Sequence, residues 1–476
     1  MALLFCRAEF SSESFAPHPA PPPLFHRLLI ANRGEVATRI ARACRDLGVE
    51  PVCVASTADL GAPWLEEMAE VVCVGEGPAA KSYLRSDRVL QAALQTGCTA
   101  LHPGWGFLAE DPRFAALCLQ HGVTFVGPTP AVISRMGLKS PAKEAVRSVG
   151  LPVIPGSVGT LDDVEQAVQV ASEIEYPIIL KADAGGGGRG MRRCENEAEL
   201  REAFPTAMAE ALSAFGTGRL YLEKFLSGGR HIEVQILVDC FGNGVHLYER
   251  DCSVQRNHQK LVEESPSPVL NEVEREELGA RAVAAAIQLG YSGAGTIEFL
   301  RSAEGELYFM EMNTRLQVEH PVSELVTGID IVCEQLKIAA NQKLSITQAD
   351  VQLNGHAIEC RINAEDPSAN FQPSPGTLRI FELARGEGPG HIRIDTHLRA
   401  GDTIPPYYDS LIAKVISHAE TRERAVETAI NSLQASRLEG VASTIPLHLA
   451  VLLSREFLAN DYDTSSIPGW TPDSTS

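Results

Sequence analysis

Between residues 26 and 135, short apolar strands alternate with helical stretches, and that alternation admits few folds. Leu28 to Ile30 runs into Asn32-Arg33-Gly34-Glu35. Val36, Ile40, Ala43 and Leu47 then recur at helical spacing until Gly48, which reads as a helix stop. The strand-like runs PVCVAS and VVCVG follow, then a helical stretch, then TALHPGWGF. Strands and helices in this order predict a parallel, doubly wound sheet. The first turn lacks the G-x-G-x-x-G spacing and carries Arg33 and Glu35 instead, which argues against nicotinamide or flavin binding.

A chain of 476 residues implies two to four compact units. Residues 1–25, with the proline-rich HPAPPP, read as a disordered leader, 26–135 as the doubly wound domain and 136–227 as a second unit. Residues 228–458 form a third, mixed α+β region with strands at 231–238, 244–250, 294–300 and 306–313 and a helix from Ser323 to Ala340; 459–476 is a frayed tail. Lys and Arg total 41 against 61 Asp and Glu, a net charge of −20, which argues against nucleic acid or an anionic membrane as partner. No apolar run approaches the roughly 18 residues of a membrane span. Eleven cysteines are scattered without a CxxC pair, as expected of reduced thiols in a cytoplasmic protein.

Three features point to chemistry. Gly185 to Gly188, followed by Arg189 and Gly190, lie between an apolar strand and a returning one. Without side chains, their N–H groups can approach polyphosphate oxygens, and Lys181 at the end of the strand can add a point charge. A flexible hairpin tip is the alternative. The segments TIEFL and LYFMEMN resemble a hairpin. A turn centred between Glu304 and Gly305 sets Glu298 opposite Glu311, about 4.5–5.5 Å apart at Cβ, where like charges destabilise. A divalent cation removes the conflict, with Asn313 as a further oxygen donor. Hard oxygen ligands favour Mg²⁺ or Mn²⁺; two solvated glutamates are the rival reading. Beyond Asn313, the alternation of Arg315, Gln317 and Glu319 would aim all three one way in an extended chain, able to hold and deprotonate a small oxyanion. His320 before Pro321 reads as a structural end-of-strand residue. DCSVQRNHQK, with Gln255, His258 and Lys260, reads by itself as a solvated basic loop.

Seven runs occur in the order found in the biotin carboxylase subunit or domain of biotin-dependent carboxylases, members of the ATP-grasp superfamily. They are IANRGEVA, HPGWGFLAED, KADAGGGGRGMR, ERDCSVQRNHQK, FMEMNTRLQVEHPV, GHAIECRINAEDP and PPYYDSLIAK. The chain resembles that family over about residues 26 to 455. The resemblance implies an ATP-grasp fold, with an N-terminal doubly wound domain, a mobile glycine-loop lid and a C-terminal mixed α+β domain. It implies phosphate contacts from Lys139, Lys181, Gly187 and Gly188, and an adenine-side segment Glu223, Lys224, Phe225 and Leu226 with His231, Gln255 and His258 nearby. Glu298, Glu311 and Asn313 would hold Mg²⁺ or Mn²⁺. Lys260, Arg315, Gln317 and the Val318 backbone would grip bicarbonate, Glu319 would act as general base, and Arg361 would stabilise the biotin enolate. Salt bridging is the alternative for both arginines.

The implied reaction is carboxylation of biotin by ATP and bicarbonate through carboxyphosphate. Partners would be a biotin carboxyl carrier protein and a carboxyltransferase subunit, with the chain itself a homodimer. No MKM biotin-attachment run occurs, so biotin is expected on a separate carrier or elsewhere in a longer polypeptide. Leu138, Ala184, Asn257 and Trp105 depart from the family pattern, which usually has aspartate, glycine, arginine and tyrosine there. SANFQPSPG is about one residue longer than usual. Two rivals are an ATP-grasp ligase passing another activated carboxylate to an amine, and a non-catalytic nucleotide-binding scaffold.

Overall fold

The computed structural model describes residues 24–183, 191–386 and 388–471. The leader to residue 23, the glycine run with Ala184, Gly187 and Gly188, and the end of the tail lie outside them.

The predicted alternation produces a five-stranded parallel sheet. Its strands are β1 (Arg27–Ile30), β2 (Glu50–Ser56), β3 (Glu70–Gly75), β4 (Ala100–His102) and β5 (Thr124–Phe125), in the order β3-β2-β1-β4-β5. Leu28, Leu29 and Ile30 of the central strand are fully buried, as a parallel strand covered on both faces requires. The first crossover helix, Gly34–Asp46, stops before Gly48, whose φ of 68° is a left-handed value suited to glycine.

A three-stranded antiparallel sheet follows, in the order β7-β6-β8: β6 (Ile178–Ala182), β7 (Arg192–Cys194) and β8 (Leu220–Lys224). Helices Val164–Ile174 and Glu197–Phe215 cover it through a core that includes Ala171, Ile178, Leu180, Leu200 and Phe204. The strand and returning strand expected around the glycine run are thus β6 and β7, paired Ile178 to Cys194.

The largest sheet is antiparallel throughout. It contains β9 (Arg230–Val238), β10 (Gly244–Arg256), β11 (Gln259–Ser265), β12 (Gly293–Arg301), β13 (Leu307–Asn313) and β14 (His356–Asn363), ordered β13-β12-β9-β10-β11-β14 and continued by Leu411–Ala419 and His391–Thr396. Three expectations change. The helix expected from Ser323 to Ala340 is two helices, His320–Thr327 and Ile331–Ala339, because Gly328 adopts a left-handed φ of 72° and ends the first. The stretch DCSVQRNHQK is not a solvated loop but the β10–β11 hairpin, with Arg256 paired to Gln259. Its two turn residues, Asn257 and His258, have φ of 49° and 65°, as a two-residue primed turn demands, and asparagine tolerates that region better than most residues. The β12–β13 hairpin does pair Glu298 with Glu311, but by two offsetting departures. Its turn is centred half a residue earlier than expected, pairing Arg301 with Leu307, and an irregularity at Met310 restores the register.

The smaller antiparallel sheet meets the preceding loop where Gly156 bridges Glu223. A Cβ at Gly156 would lie 2.3 Å from the Leu222 carbonyl oxygen, a backbone atom with little freedom to yield. Gly156→Ala is therefore expected to cost about 1–3 kcal/mol by overpacking. Denaturant unfolding against the wild type checks this, and an unchanged midpoint would show that the loop moves aside freely.

Candidate active site

Antiparallel register sets four charged residues side by side across the large sheet. Glu311 on β13 faces Glu298 on β12, Glu298 faces Glu233 on β9, and Glu233 faces Arg250 on β10. Three neighbouring carboxylates repel, so this row persists only if cations reach it. Arg250, fully buried, gives Nε to Glu233 at 2.6 Å and its other nitrogens to Gln235, Ser323 and Thr296. Lys260 arrives from β11, and its Nζ contacts a Glu233 oxygen, Glu298 Oε1 at 3.0 Å and Glu319 Oε1 at 2.6 Å. At the exposed end of the row, Lys139 Nζ donates to Glu311 Oε2 at 2.6 Å.

Glu319 is fully buried, and its second oxygen accepts from Arg361 Nη2 at 2.9 Å. Arg361 in turn contacts Glu263 through Nε. Burial alone would raise the Glu319 carboxyl, but Lys260, Arg361 and Arg250 outweigh it and hold the group well below the usual carboxylate range. Burial likewise opposes ionisation of Glu298, and Lys260 with His231 prevails there too. Glu263 goes the other way: burial, reinforced by Glu319, lifts it to about 7 despite Arg361. Glu319 is therefore ionised at neutral pH, whereas Glu263 is close to half-protonated.

The segment carrying Arg315, Gln317 and Glu319 is not the extended strand expected. It is a loop that turns at Val318, and Glu319 precedes the helix His320–Thr327, with Pro321 in its first turn. The three side chains nevertheless face one cleft. Arg315 is held by Glu110 Oε2 at 2.9 Å, Gln317 Oε1 at 3.1 Å and Asn313 Oδ1 at 3.0 Å. His320 is a helix-opening residue, not a strand end; it is buried, with Nδ1 2.7 Å from the Gln317 carbonyl oxygen.

On the other side, Lys181 Nζ donates to Glu223 Oε2 at 2.7 Å, and Lys143 also contacts Glu223. Burial, helped by nearby Lys139, lowers Lys181 to about 8. Lys139 opens the helix Lys139–Ser148. Leu138, directly before it, has no side-chain acceptor to cap that helix, and Asp183 supplies one from beyond β6, accepting from the Ser140 N–H at 2.9 Å.

These groups line one cleft of about 930 Å³. Lys139, Lys181, Glu223, Lys224, Phe225, Leu226, His231, Gln255 and His258 border it together with Lys260, Glu298, Glu311, Asn313, Arg315, Gln317, Val318, Glu319, Arg361 and Trp105. Every expected site residue among the described ones is brought to this cleft. The oxygen donors of Glu298, Glu311 and Asn313 suit Mg²⁺ or Mn²⁺. His231, Glu233 and Glu298 also converge within 4.8 Å, with the Lys260 ammonium bridging both carboxylates; Lys139 likewise holds Glu311, so at either place a cation would share its carboxylates with a lysine.

Sequence reasoning missed Glu233, Arg250, Glu263, Lys143 and Asp183. A usable signal existed for Glu233: after Arg230, His231, Glu233 and Gln235 place polar groups at every second position of a strand whose remaining residues are apolar.

Family models match in three consecutive parts: the biotin carboxylase N-terminal domain at residues 24–133, the carbamoyl-phosphate synthase L chain ATP-binding domain at 139–347, and the biotin carboxylase C-terminal domain at 359–468. Biotin carboxylase 1 of Bacillus subtilis is 49% identical over 442 residues, covering 93% of this chain and 98% of that one. The 2-oxoglutarate carboxylase small subunit of Hydrogenobacter thermophilus is 46% identical over 441 residues, 93% of each. The crystal structure of the biotin carboxylase domain dimer of that enzyme, with MgADP, ADP and bicarbonate, superposes with a TM-score of 0.89 at 46% identity, covering 93% of this chain and 96% of that one. The Campylobacter jejuni biotin carboxylase complex with a β,γ-ATP ligand gives 0.89 at 44% identity, covering 92% and 98%. The likeness covers more than nine-tenths of the chain, and the chain belongs to the biotin carboxylase family.

Proposed function

We propose that this chain carboxylates the biotin of a carrier protein with ATP and bicarbonate, the first half-reaction of a biotin-dependent carboxylase. The observation that carries this reading is the placement of Glu319. It is fully buried at the cleft, with one oxygen on Lys260 and the other on Arg361, beside the acidic edge of Glu298 and Glu311. Matches in all three parts of the chain support the same activity.

Lys139 and Lys181, with Gly187 and Gly188, hold the phosphates of ATP. Glu223 to Leu226, His231, Gln255 and His258 border the rest of the nucleotide. Glu298, Glu311 and Asn313 hold Mg²⁺ or Mn²⁺, which when bound offsets charge on the transferring phosphate. Lys260, Arg315, Gln317 and the Val318 N–H hold bicarbonate. Glu319 takes its proton as a bicarbonate oxygen bonds to the γ-phosphorus and the bond to ADP breaks, giving carboxyphosphate. Carboxyphosphate then breaks into carbon dioxide and phosphate, the phosphate takes the proton of the biotin ureido nitrogen, and Arg361 stabilises the resulting enolate by fixed positive charge while its nitrogen bonds to carbon dioxide. Asp183 accepts from the Ser140 N–H at the helix start that Leu138 leaves without a side-chain cap, and Asn257 lies in a turn that suits it, so the fold accommodates both departures.

A biotin carboxyl carrier protein and a carboxyltransferase subunit are the partners this reaction requires, and a homodimer is the assembly we propose. Segments 26–135, 136–227 and 228–458 are proposed as its working units. Among the described residues no helix is long and apolar enough to cross a membrane. A cytoplasmic site is proposed from the ten cysteines of the described residues, all of them free.

Purified protein with MgATP is expected to cleave ATP only when bicarbonate is present, faster with free biotin, and to convert labelled bicarbonate to carboxybiotin. A labelled carbamate or amide would instead identify a ligase acting on an amine. Glu319→Gln is expected to lower bicarbonate-dependent cleavage about 10²–10⁴-fold with nucleotide affinity retained. An undiminished rate in steady-state kinetics would remove Glu319 as the base. Lys181 gives the pH dependence. Its ammonium, the form that attracts phosphate, predominates below about 8 and is lost above it. ADP affinity measured by calorimetry is therefore expected to fall above that pH, by up to about tenfold per unit. Lys181→Met should bind more weakly and lose this slope; a slope that survives the substitution assigns it elsewhere.

A further inference from the structure

Two of the runs that marked the family in sequence, IANRGEVA and PPYYDSLIAK, contribute nothing to the chemistry above, yet the fold joins them behind the anion site. Lys414, on the strand Leu411–Ala419, is fully buried. Its Nζ lies 2.9 Å from Glu35 Oε1, in the first turn of the helix Gly34–Asp46, and donates to the Val318 carbonyl oxygen at 3.0 Å. Asp395 is farther off, at 3.8 Å. Glu35 is also buried, and neither of its oxygens has a hydrogen-bond partner among the described residues, so the Lys414 ammonium is the charge that compensates it. An isolated lysine in such a place would be costly, and removing one partner of a buried pair strongly destabilises. Lys414 does not border the cleft.

The bonded carbonyl matters because of what shares its peptide unit. The Val318 carbonyl and the Glu319 N–H lie in one plane, so holding the oxygen fixes the orientation of the bond that leads into Glu319. Val318 sits in a turn with no strand ladder to restrain it, and the helix begins only at His320. We propose that the Glu35–Lys414 pair is a positioning device. It pins the 318–319 peptide from behind and so aims the Glu319 carboxylate at the bicarbonate, while the neighbouring peptide that carries the Val318 N–H is held at its Gln317 carbonyl by His320. The inference rests on the reading that bicarbonate binds beside these two residues. It adds that the parallel-sheet domain, through Glu35, helps set the geometry of a reaction otherwise carried out on the large sheet.

The test is the double variant Glu35→Gln/Lys414→Met, which removes both charges of the pair together, while Asp395 keeps Arg393 at 2.7 Å as its cation. Misplacing a reacting group by about 1 Å costs on the order of 10²-fold. Bicarbonate-dependent ATP cleavage is therefore expected to lose about 10- to 100-fold in kcat/KM for bicarbonate, while the KM for ATP and the affinity for ADP stay at wild-type values. Lys414→Arg, which keeps a charged donor, is expected to recover part of that loss. Bicarbonate kinetics equal to wild type, or a parallel loss in the nucleotide and bicarbonate terms, would overturn the proposal. Should the double variant fail to fold, Glu35→Gln alone decides. It keeps the ammonium and removes only its counter-charge, and it is expected to raise the bicarbonate KM without moving the ATP KM; no change overturns the proposal. A wild-type protein without bicarbonate-dependent cleavage would instead refute the functional reading itself, which separates the two failures.

Discussion

Burying Glu233, Glu298 and Glu319 around a single ammonium is the arrangement on which the rest of the cleft depends. None of the three carboxylates is more than slightly exposed, and Lys260 touches all of them. Desolvating an ion costs several kcal/mol even after relaxation, so each carboxylate needs near neighbours to remain charged. Arg250 and Arg361 complete the set from opposite sides. Protonation is then unevenly distributed: Glu263, at the far end of Arg361, is pushed up to about 7, while Glu319 stays ionised.

The fold delivers these groups by register. In an antiparallel sheet, residues directly opposite share a face, so one residue of slip would turn Glu298 or Glu233 into the opposite layer. The apolar side of the same strands, with Val234, Ile297, Phe299 and Phe309, packs into a core that resists such a slip. The parallel-sheet domain adds supports from outside: Glu110 holds Arg315, and Glu35 neutralises Lys414 beneath Val318. Asp183 shows the same economy of means on the nucleotide side, capping the helix that begins at Lys139.

How much of this was legible depended on whether the partners lie close in the chain. The parallel sheet could be read because each strand and crossover helix carries its own periodicity and stop signal, as Gly48 does. Glu298 and Glu311 could be read because a short hairpin joins them, although the pairing was reached by assuming a turn half a residue late; the irregularity at Met310 supplied the compensation. Arg250 and Glu263 could not be read. Arg250 stands between Glu249 and Asp251, and Glu263 beside Glu264, so each reads locally as part of an exposed charged run, and their partners Glu233 and Arg361 lie on other strands. The alternation of Arg315, Gln317 and Glu319 imitated a strand, but the segment has no neighbour to pair with, and Pro321 suits the first turn of a helix better than the continuation of a ladder. The alternation did aim Arg315, Gln317 and Glu319 the same way; it was the resemblance to biotin carboxylases that added Lys260 and Arg361 to their site.

A carboxylate held as low as Glu319 is a weak proton acceptor taken alone, and its proposed role as the base has to be understood together with the anion it would serve. Lys260 and Arg361 lower Glu319 because they favour negative charge at that point, and the same field favours the second negative charge that bicarbonate acquires on losing its proton. Arg315, braced by Glu110, adds to that field from the cleft side. In the proposed step, a proton arriving on Glu319 would take part of one partner from Lys260, which could then shift its donors toward the new dianion while Glu233 and Glu298 anchor it. The transfer thus redistributes negative charge within one set of fixed cations, with little reorganisation of the surroundings. Such a transfer tolerates little displacement of Glu319, which is why a buried hydrogen bond to the neighbouring peptide can matter as much as the groups that touch the substrate.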